Sequence, residues 1–216
     1  MPRRCVFITG ATGYIGRALI PALLARGHSV RALARKASAH LVPAGAVIVE
    51  GDALDPATFA NAIAPADTLV HLIGTPHPNP AKAASFRAVD LASVDAALAA
   101  VRTAGVGHFI YVSVAQPAPV MRVYIEARQA GEARVRASGI PATILRPWYV
   151  LGPGHWWPYL LMPAYAILAL LPPTRDIARR LGLVTLGQMV SALVASIERE
   201  PEGVRVLDVS DIRDAG

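Results

Sequence analysis

Short apolar runs alternate with longer Ala/Leu-rich segments along the chain. The short runs, such as CVFITG (5–10) and PATILRP (141–147), are almost wholly apolar, as is typical of strands covered by helices on both faces of a sheet. The longer segments have helical period, and glycine ends two of them, at Gly27 and Gly105. Repeated βα units of this kind predict an α/β fold, a doubly wound parallel sheet with helices on both faces. The pattern predicts strands over 5–10, 28–35, 46–52, 67–74, 108–114, 141–147 and 203–210, and helices over 14–27, 57–64, 86–105, 123–139 and 185–200.

Length and composition narrow the functional classes. A chain of 216 residues with 54% apolar residues predicts one domain over 1–216 with a substantial core. The net charge is +6, but the basic residues are spread along the chain without interleaved aromatics, so we expect no nucleic-acid partner. Cys5 is the single cysteine and no histidine pair has ligand spacing, so we expect no metal site. The first residues run into a strand pattern without a leader, which favours a cytoplasmic location.

One uncharged segment stands apart from the βα pattern. WWPYLLMPAYAILALL (Trp156–Leu171) has 16 residues, is interrupted by two prolines, and is shorter than the roughly 20 residues that span a bilayer. We predict that it belongs to a small apolar cap over 152–184, in which Trp156, Trp157 and Tyr159 contact a substrate. A weak membrane-surface or protein contact through the same segment is the alternative. The oligomeric state stays open.

A glycine-rich turn follows the first predicted strand. TGATGYIG contains Gly10, Gly13 and Gly16 and opens the first helix of a βαβ unit. A tight turn, the close approach of a pyrophosphate and close helix packing each require a glycine, and the N-terminus of the helix offers N–H donors to phosphate. This context predicts a dinucleotide-binding loop that includes Thr12, Tyr14 and Ile15.

Four further segments follow that turn in a fixed order: EGDALDP (50–56), HLIG (71–74), FIYVSV (109–114) and ASGIPATILRPWYVLGPG (137–154). With them, the chain resembles the short-chain dehydrogenase/reductase superfamily, in its extended (epimerase/dehydratase) and atypical branches. The last segment is similar to NmrA-like and complex-I-accessory-subunit-like members. The resemblance extends over roughly residues 4–154 and implies an NAD(P)-binding Rossmann fold. The resemblance implies that Asp52 and Ala53 contact the adenine. It implies that Leu72, Ile73 and Gly74 contact the ribose. The residues that it places beside the nicotinamide are Val112, Pro147, Trp148 and Val150.

The end of the second strand bears on the choice of cofactor. NAD-preferring proteins carry an acidic residue there, whereas a cation accommodates the 2′-phosphate of NADP. This chain has Arg35 and Lys36 and no acid nearby. We therefore expect NADP rather than NAD, although both side chains could simply be solvated surface charges.

The predicted helix 123–139 carries the candidate catalytic residues. In the superfamily a Tyr-x-x-x-Lys pair supplies the proton donor and a neighbouring cation, and a serine hydrogen-bonds the substrate carbonyl. Tyr124 and Ser113 match, while Arg128 stands where lysine is expected. Arginine keeps the charge but its planar fork does not replace an ammonium geometrically. Glu132 is predicted to form surface pairs with Arg128 and Arg136, one helical turn away on either side.

Two functional classes follow from the resemblance, and the apolar segment adds a third. The first is an NADP(H)-dependent oxidoreductase that acts on a small apolar carbonyl or quinone-like substrate. The second is a non-catalytic NADP(H)-binding sensor or complex-assembly protein. The third is a protein that docks on a membrane surface through Trp156–Leu171.

Overall fold

A parallel sheet of seven strands forms the centre of the computed structural model, which describes residues 3–75, 79–118, 120–153 and 181–215. Its strand order is β3-β2-β1-β4-β5-β6-β9, so the direction of winding reverses between β1 and β4. Ligands of doubly wound sheets bind at such a switch point, beyond the carboxyl ends of the strands. The predicted fold is therefore confirmed. The strands are β1 (Cys5–Thr9), β2 (Ser29–Ala34), β3 (Val47–Glu50), β4 (Thr68–His71), β5 (His108–Val112), β6 (Ala142–Leu145), β7 (Tyr149–Leu151), β8 (Leu183–Thr185) and β9 (Val204–Leu207).

Helices cover both faces of this sheet. The described helices of six residues or more with α-helical geometry are α1 (Tyr14–Ala25), α2 (Ala92–Ala104), α3 (Arg122–Ala137), α4 (Leu186–Glu198) and α5 (Val209–Asp214). Alternate residues of β1 serve the two faces: Val6 and Ile8 pack in one core with α1 and α4, and Phe7 packs in the other with α2. All three are completely buried, which contributes about 1.5–3 kcal/mol for each side chain.

Three predicted elements differ from the structure. The helix expected over 57–64 is two short 3-10 turns, Pro56–Thr58 and Ala60–Ala62. The strand expected over 203–210 stops at Leu207, because Asp211 accepts a hydrogen bond from the N–H of Asp208 at 2.9 Å and starts α5. The helix expected over 86–105 begins as a π-helical turn, Phe86–Leu91, before α2. It does end at Gly105, which is left-handed with a φ of +69°.

A second, two-stranded sheet was not predicted. Residues 149–151 pair in parallel with residues 183–185, and the guanidinium of Arg213 donates two hydrogen bonds, of 2.9 and 2.6 Å, to the carbonyl oxygen of Leu183. A Cβ on Gly152 would lie 2.3 Å from the hydroxyl oxygen of Tyr14, so a side chain there would displace the Tyr14 side chain. The small sheet therefore lies against the beginning of α1.

The predicted apolar cap lies mostly outside the described residues. Trp156, Trp157 and Tyr159 are all outside them, so their proposed contact with a substrate stays a prediction. None of the helices in the described ranges has both the length and the apolar character needed to cross a bilayer.

Candidate active site

The glycine loop joins β1 to α1 at the switch point of the sheet. Gly10 has a φ of +76°, and a Cβ there would lie 2.9 Å from the carbonyl carbon of Leu72. A Cβ on Gly16 would lie 2.5 Å from the carbonyl oxygen of Gly10, because the first turn of α1 packs directly on the loop. The N–H of Gly13 donates to Gly10 O over 3.0 Å, and the helix begins at the next residue. The loop thus presents the start of α1, whose first N–H groups have no partner inside the helix.

A cavity of about 440 Å³ lies beside this loop. Nine of the predicted cofactor residues line it: Gly10, Thr12, Gly13, Arg35, Asp52, Ala53, Leu72, Ile73 and Gly74. Six residues that were not predicted line it as well: Leu33, Ala34, Ser38, Gly51, Leu54 and Val89. Ser38 was missed because a short 3-10 turn, Lys36–Leu41, follows Arg35, and its weak pattern gives no signal in the sequence.

Three predicted cofactor residues line neither this cavity nor the second one described below. Lys36 is exposed and does not line it, unlike its neighbour Arg35. Tyr14 and Gly16 belong to the junction of loop and helix.

A second cavity, of about 200 Å³, continues from the first along a shared wall, residues 72–74. It brings together Ser113, which follows β5, with Tyr124 and Arg128, which both lie on α3. Most of its other lining residues are apolar: Ile15, Val112, Val114, Pro147, Trp148 and Val150, with Thr75 as an additional hydroxyl. Val114 and Thr75 were not predicted. The candidate catalytic residues therefore share one small site.

Tyr124 lies in the first turn of α3 and is half-buried. Its ring contacts the edge of Phe86, with the ring centroids 5.1 Å apart. The Cζ atom of Arg128, one turn further along the helix, lies 5.3 Å from the centroid of the Tyr124 ring. The Tyr124 ring thus contacts both an aromatic ring and a cation. Tyr124 also lines the second cavity.

Arg128 is directed into the protein and is only 4% exposed. Its Nη2 atom forms an ion pair with Asp90 Oδ1 at 2.8 Å, and Nη1 donates to the carbonyl oxygens of Ile73 and Val112, both at 3.2 Å. Burial lowers the pKa of this guanidinium, but the neighbouring oxygens of Tyr124, Tyr111 and Asp90 raise it more, so it stays charged. Arg128 therefore ties the ends of β4 and β5 to the π-helical turn.

Asp90 is the residue that sequence patterns missed most clearly. It is 1% exposed and also accepts hydrogen bonds from the N–H of Thr75 at 3.1 Å and from its hydroxyl at 2.5 Å. Asp90 lies on the π-helical turn Phe86–Leu91, and no spacing rule in the sequence pairs it with Arg128. Nearby, the imidazole of His71 bridges Thr9 and Ser93, and burial, with the charge of Arg128, lowers its pKa to about 3.

Ser113 follows β5 and hydrogen-bonds a buried carboxylate. Its Oγ atom lies 2.7 Å from Oε1 of Glu132, which is 2% exposed. The prediction that Glu132 forms surface pairs with Arg128 and Arg136 is wrong on two points: the carboxylate is buried, and its main partner is Arg146 on the neighbouring strand end, at 2.6 Å. Only the pair with Arg136, at 2.9 Å, was predicted correctly.

The two cavities fit a pyridine dinucleotide. Gly10 and Gly13 line the larger cavity together with Arg35. The smaller cavity, which Ile15 and Arg128 line, adjoins it at residues 72–74. The Nε atom of Arg128 is buried and has no hydrogen-bond partner among the described residues. A buried donor of this kind can be satisfied by an oxygen of a bound ligand.

Comparisons with known proteins agree with this geometry. A family model described as NAD(P)H-binding matches residues 10–153. The chain is 29% identical to a ceramide reductase of Caulobacter vibrioides over 99% of this chain and 67% of that protein. It is 32% identical to a 2-alkyl-3-oxoalkanoate reductase of Stenotrophomonas maltophilia, over 50% of this chain but only 32% of that protein. The crystal structure of the Bordetella bronchiseptica enzyme WbmH with NAD+ superposes with a TM-score of 0.70 at 18% identity, covering 99% of this chain and 80% of that one, which supports the fold alone.

Proposed function

The chain belongs to the NAD(P)H-binding family, within the short-chain dehydrogenase/reductase superfamily, and from that premise we propose that it is an NADP(H)-dependent oxidoreductase of small apolar carbonyl compounds. One observation carries the proposal: Ser113 and Tyr124 line a small cavity that continues from the cavity at the glycine loop. A bound nicotinamide would supply the hydride in this reaction.

Tyr124 is the proton donor in this proposal. Its phenolic O–H would give a proton to the carbonyl oxygen of the substrate, and the guanidinium of Arg128, 5.3 Å from the ring centroid, stabilises negative charge on the phenol oxygen. Asp90 and two main-chain carbonyl oxygens hold the guanidinium of Arg128 in place beside this ring.

The lining of the second cavity supports the substrate class. Its valine, isoleucine, proline and tryptophan side chains favour an apolar body. The phenol of Tyr124 is the group that can donate to one carbonyl end, because Ser113 and Thr75 donate their hydroxyls to Glu132 and Asp90. Ketones of this kind are consistent with the reductase names of the two relatives, which come from proteins that this chain matches only in part.

Turnover tests the proposal directly. We expect NADPH oxidation with small apolar ketones, aldehydes or quinones, and a loss of roughly 10²–10⁴-fold in kcat for Tyr124→Phe with NADPH affinity unchanged. Tyr149→Phe is the matched control, because it removes the same hydroxyl from a residue that lines neither cavity. Unchanged turnover in Tyr124→Phe would overturn the role of this tyrosine.

The preference for NADP is tested by the two cations after β2. Arg35 lines the larger cavity and Lys36 does not, so Arg35→Ser should weaken NADPH binding about tenfold or more and leave NADH binding unchanged. Lys36→Ser should change neither affinity by more than about twofold. Equal NADPH and NADH affinities in the unaltered protein would contradict the preference.

A non-catalytic NADP(H)-binding protein is the second candidate. The buried position of Arg128 favours it, because a guanidinium committed to Asp90 and to two main-chain carbonyls has less freedom to serve the cofactor than a lysine ammonium. Tight NADPH binding without oxidation across the same panel of carbonyls and quinones would favour this candidate.

A further inference from the structure

The hydroxyl of Ser113 has a single proton, and a buried carboxylate holds it. Ser113 Oγ lies 2.7 Å from Oε1 of Glu132, and an ionised carboxylate can only accept hydrogen bonds. The proton of the serine must therefore lie between these two oxygens. Ser113 lines the second cavity, whereas Glu132 does not, so the proton points away from the place of a substrate.

Hydrogen-bond donors already occupy the acceptor sites of the Glu132 carboxylate, so it does not carry a proton. Besides Ser113, it accepts hydrogen bonds from Gln116 Nε2 at 2.6 Å, from Arg136 Nη1 at 2.9 Å and from two nitrogens of Arg146 at 2.9 and 2.6 Å. These donors already occupy the roughly four lone-pair sites of a carboxylate. Burial raises the pKa of the Glu132 carboxyl. The hydrogen bonds from Arg146, Ser113 and Arg136 lower it by more, so the pKa lies below its ordinary value.

A substrate carbonyl is a weaker competitor for the serine proton. Hydrogen bonds to an ionised acceptor are roughly twice as strong as those between neutral groups, so Ser113 keeps its bond to Glu132 when a ketone binds. The serine oxygen then offers a ligand lone pairs alone. It can accept a hydrogen bond from a ligand but does not donate one.

We propose that Ser113 determines substrate specificity by accepting a hydrogen bond from a hydroxyl or N–H group that the substrate carries beside its reacting carbonyl, and that Glu132 is the positioning residue that fixes this polarity. The inference rests on the proposed function, in which the carbonyl oxygen itself faces the phenol of Tyr124. It identifies the substrates as hydroxylated or amide-bearing ketones with an apolar body.

Binding of matched ligands tests the inference. The probes are a medium-chain methyl ketone and the same ketone with a hydroxyl on the α or on the β carbon, measured by calorimetry on the NADP+ complex of a Tyr124→Phe background, so that no probe is consumed. We expect one of the hydroxylated ketones to bind roughly tenfold more tightly than the plain ketone, as one neutral hydrogen bond allows. Ser113→Ala should remove this preference.

Two further variants locate the effect. Thr75→Val is the matched control, because Thr75 also lines the cavity and also donates its hydroxyl to a carboxylate, that of Asp90. The preference should survive in Thr75→Val. In Glu132→Gln the amide can donate to Ser113 and free the serine proton, so the preference should shift toward the plain ketone. If Glu132→Gln does not fold, the Ser113 and Thr75 variants carry the test.

The outcomes separate this inference from the proposed function. Equal binding of all three ketones, or a preference lost in Thr75→Val and kept in Ser113→Ala, would overturn the role of Ser113, whatever the turnover. NADPH oxidation by the unaltered protein is measured with the same probes. A binding preference that depends on Ser113 without any NADPH oxidation would support this inference and overturn the proposed reaction.

Discussion

Replacing Arg128 with methionine should destabilise the fold far more than an ordinary surface change. Methionine keeps the length and flexibility of the side chain but removes the charge and the donors. Asp90, which is 1% exposed, would lose its 2.8 Å ion pair and keep only Thr75 as a donor among the described residues. The carbonyl oxygens of Ile73 and Val112 would each lose a hydrogen bond as well.

The magnitude follows from the burial of the pair. Removing one partner of a buried ion pair leaves an uncompensated charge and costs about 3–5 kcal/mol. For a chain of this length each kcal/mol lowers Tm by about 2–4 °C, so Arg128→Met should lower Tm by roughly 6–20 °C. Arg134→Met, on the same helix, breaks an ion pair with Asp95 whose side chains are 54% and 46% exposed. That change should cost at most about 1 kcal/mol.

The assay is thermal and urea unfolding of Arg128→Met, Arg134→Met and Asp90→Leu, and of the double variant Arg128→Met/Asp90→Leu. Because the double variant removes both charges, it should recover part of the stability that Arg128→Met loses. A loss for Arg128→Met no greater than that for Arg134→Met would refute the assignment of Arg128 as a buried clamp. So would a double variant whose loss equals the sum of the losses of Arg128→Met and Asp90→Leu.

Two further predictions concern the glycine loop and the response to acid. In Gly16→Ala the new Cβ would lie 2.5 Å from Gly10 O, so the variant should lose about 1–3 kcal/mol of unfolding free energy and bind NADPH more weakly. In Gly107→Ala the new Cβ meets nothing within 4 Å, so neither quantity should change. Thermal unfolding measures the stability and calorimetric titration measures the NADPH affinity. Burial and Arg128 hold the pKa of His71 at about 3, so below about pH 6.5 the unfolded chain binds a proton that the fold does not. The stabilisation is complete above that pH and falls by about 1.4 kcal/mol per pH unit toward the folded pKa. Tm measured against pH should therefore be flatter in His71→Asn, and unaltered in the exposed control His40→Asn.

The sequence was sufficient where chemistry follows directly from the strand ends. Carboxyl ends of parallel strands meet at one edge, and this rule together with the family resemblance assigned residues after β1, β2, β4, β5 and β6 to one ligand site. Helical period likewise placed Tyr124 and Arg128 on one face.

The buried acids could not be predicted in this way. Helical spacing pairs Glu132 with its neighbours one turn away, but its strongest partner, Arg146, lies 14 residues further along the chain and across the sheet edge. Asp90 likewise meets Arg128 through tertiary packing and a π-helical turn. Short strands pose the same difficulty: β7 and β8 have three residues each, too few for a period to be visible.

The arginine in place of a lysine is best explained together with its surroundings. Gly74 lies so close to Nη2 of Arg128 that a side chain there would displace the guanidinium, and the carboxylate of Asp90 forms an ion pair with the same nitrogen. A lysine ammonium has three donors on a single nitrogen and could not reach Asp90, Ile73 O and Val112 O with the planar fork that arginine uses. Glycine at 74, aspartate at 90 and arginine at 128 are therefore mutually dependent. The substitution is accommodated by specific neighbours, so restoring lysine alone would leave a gap beside Gly74 and a carboxylate with a poorer partner.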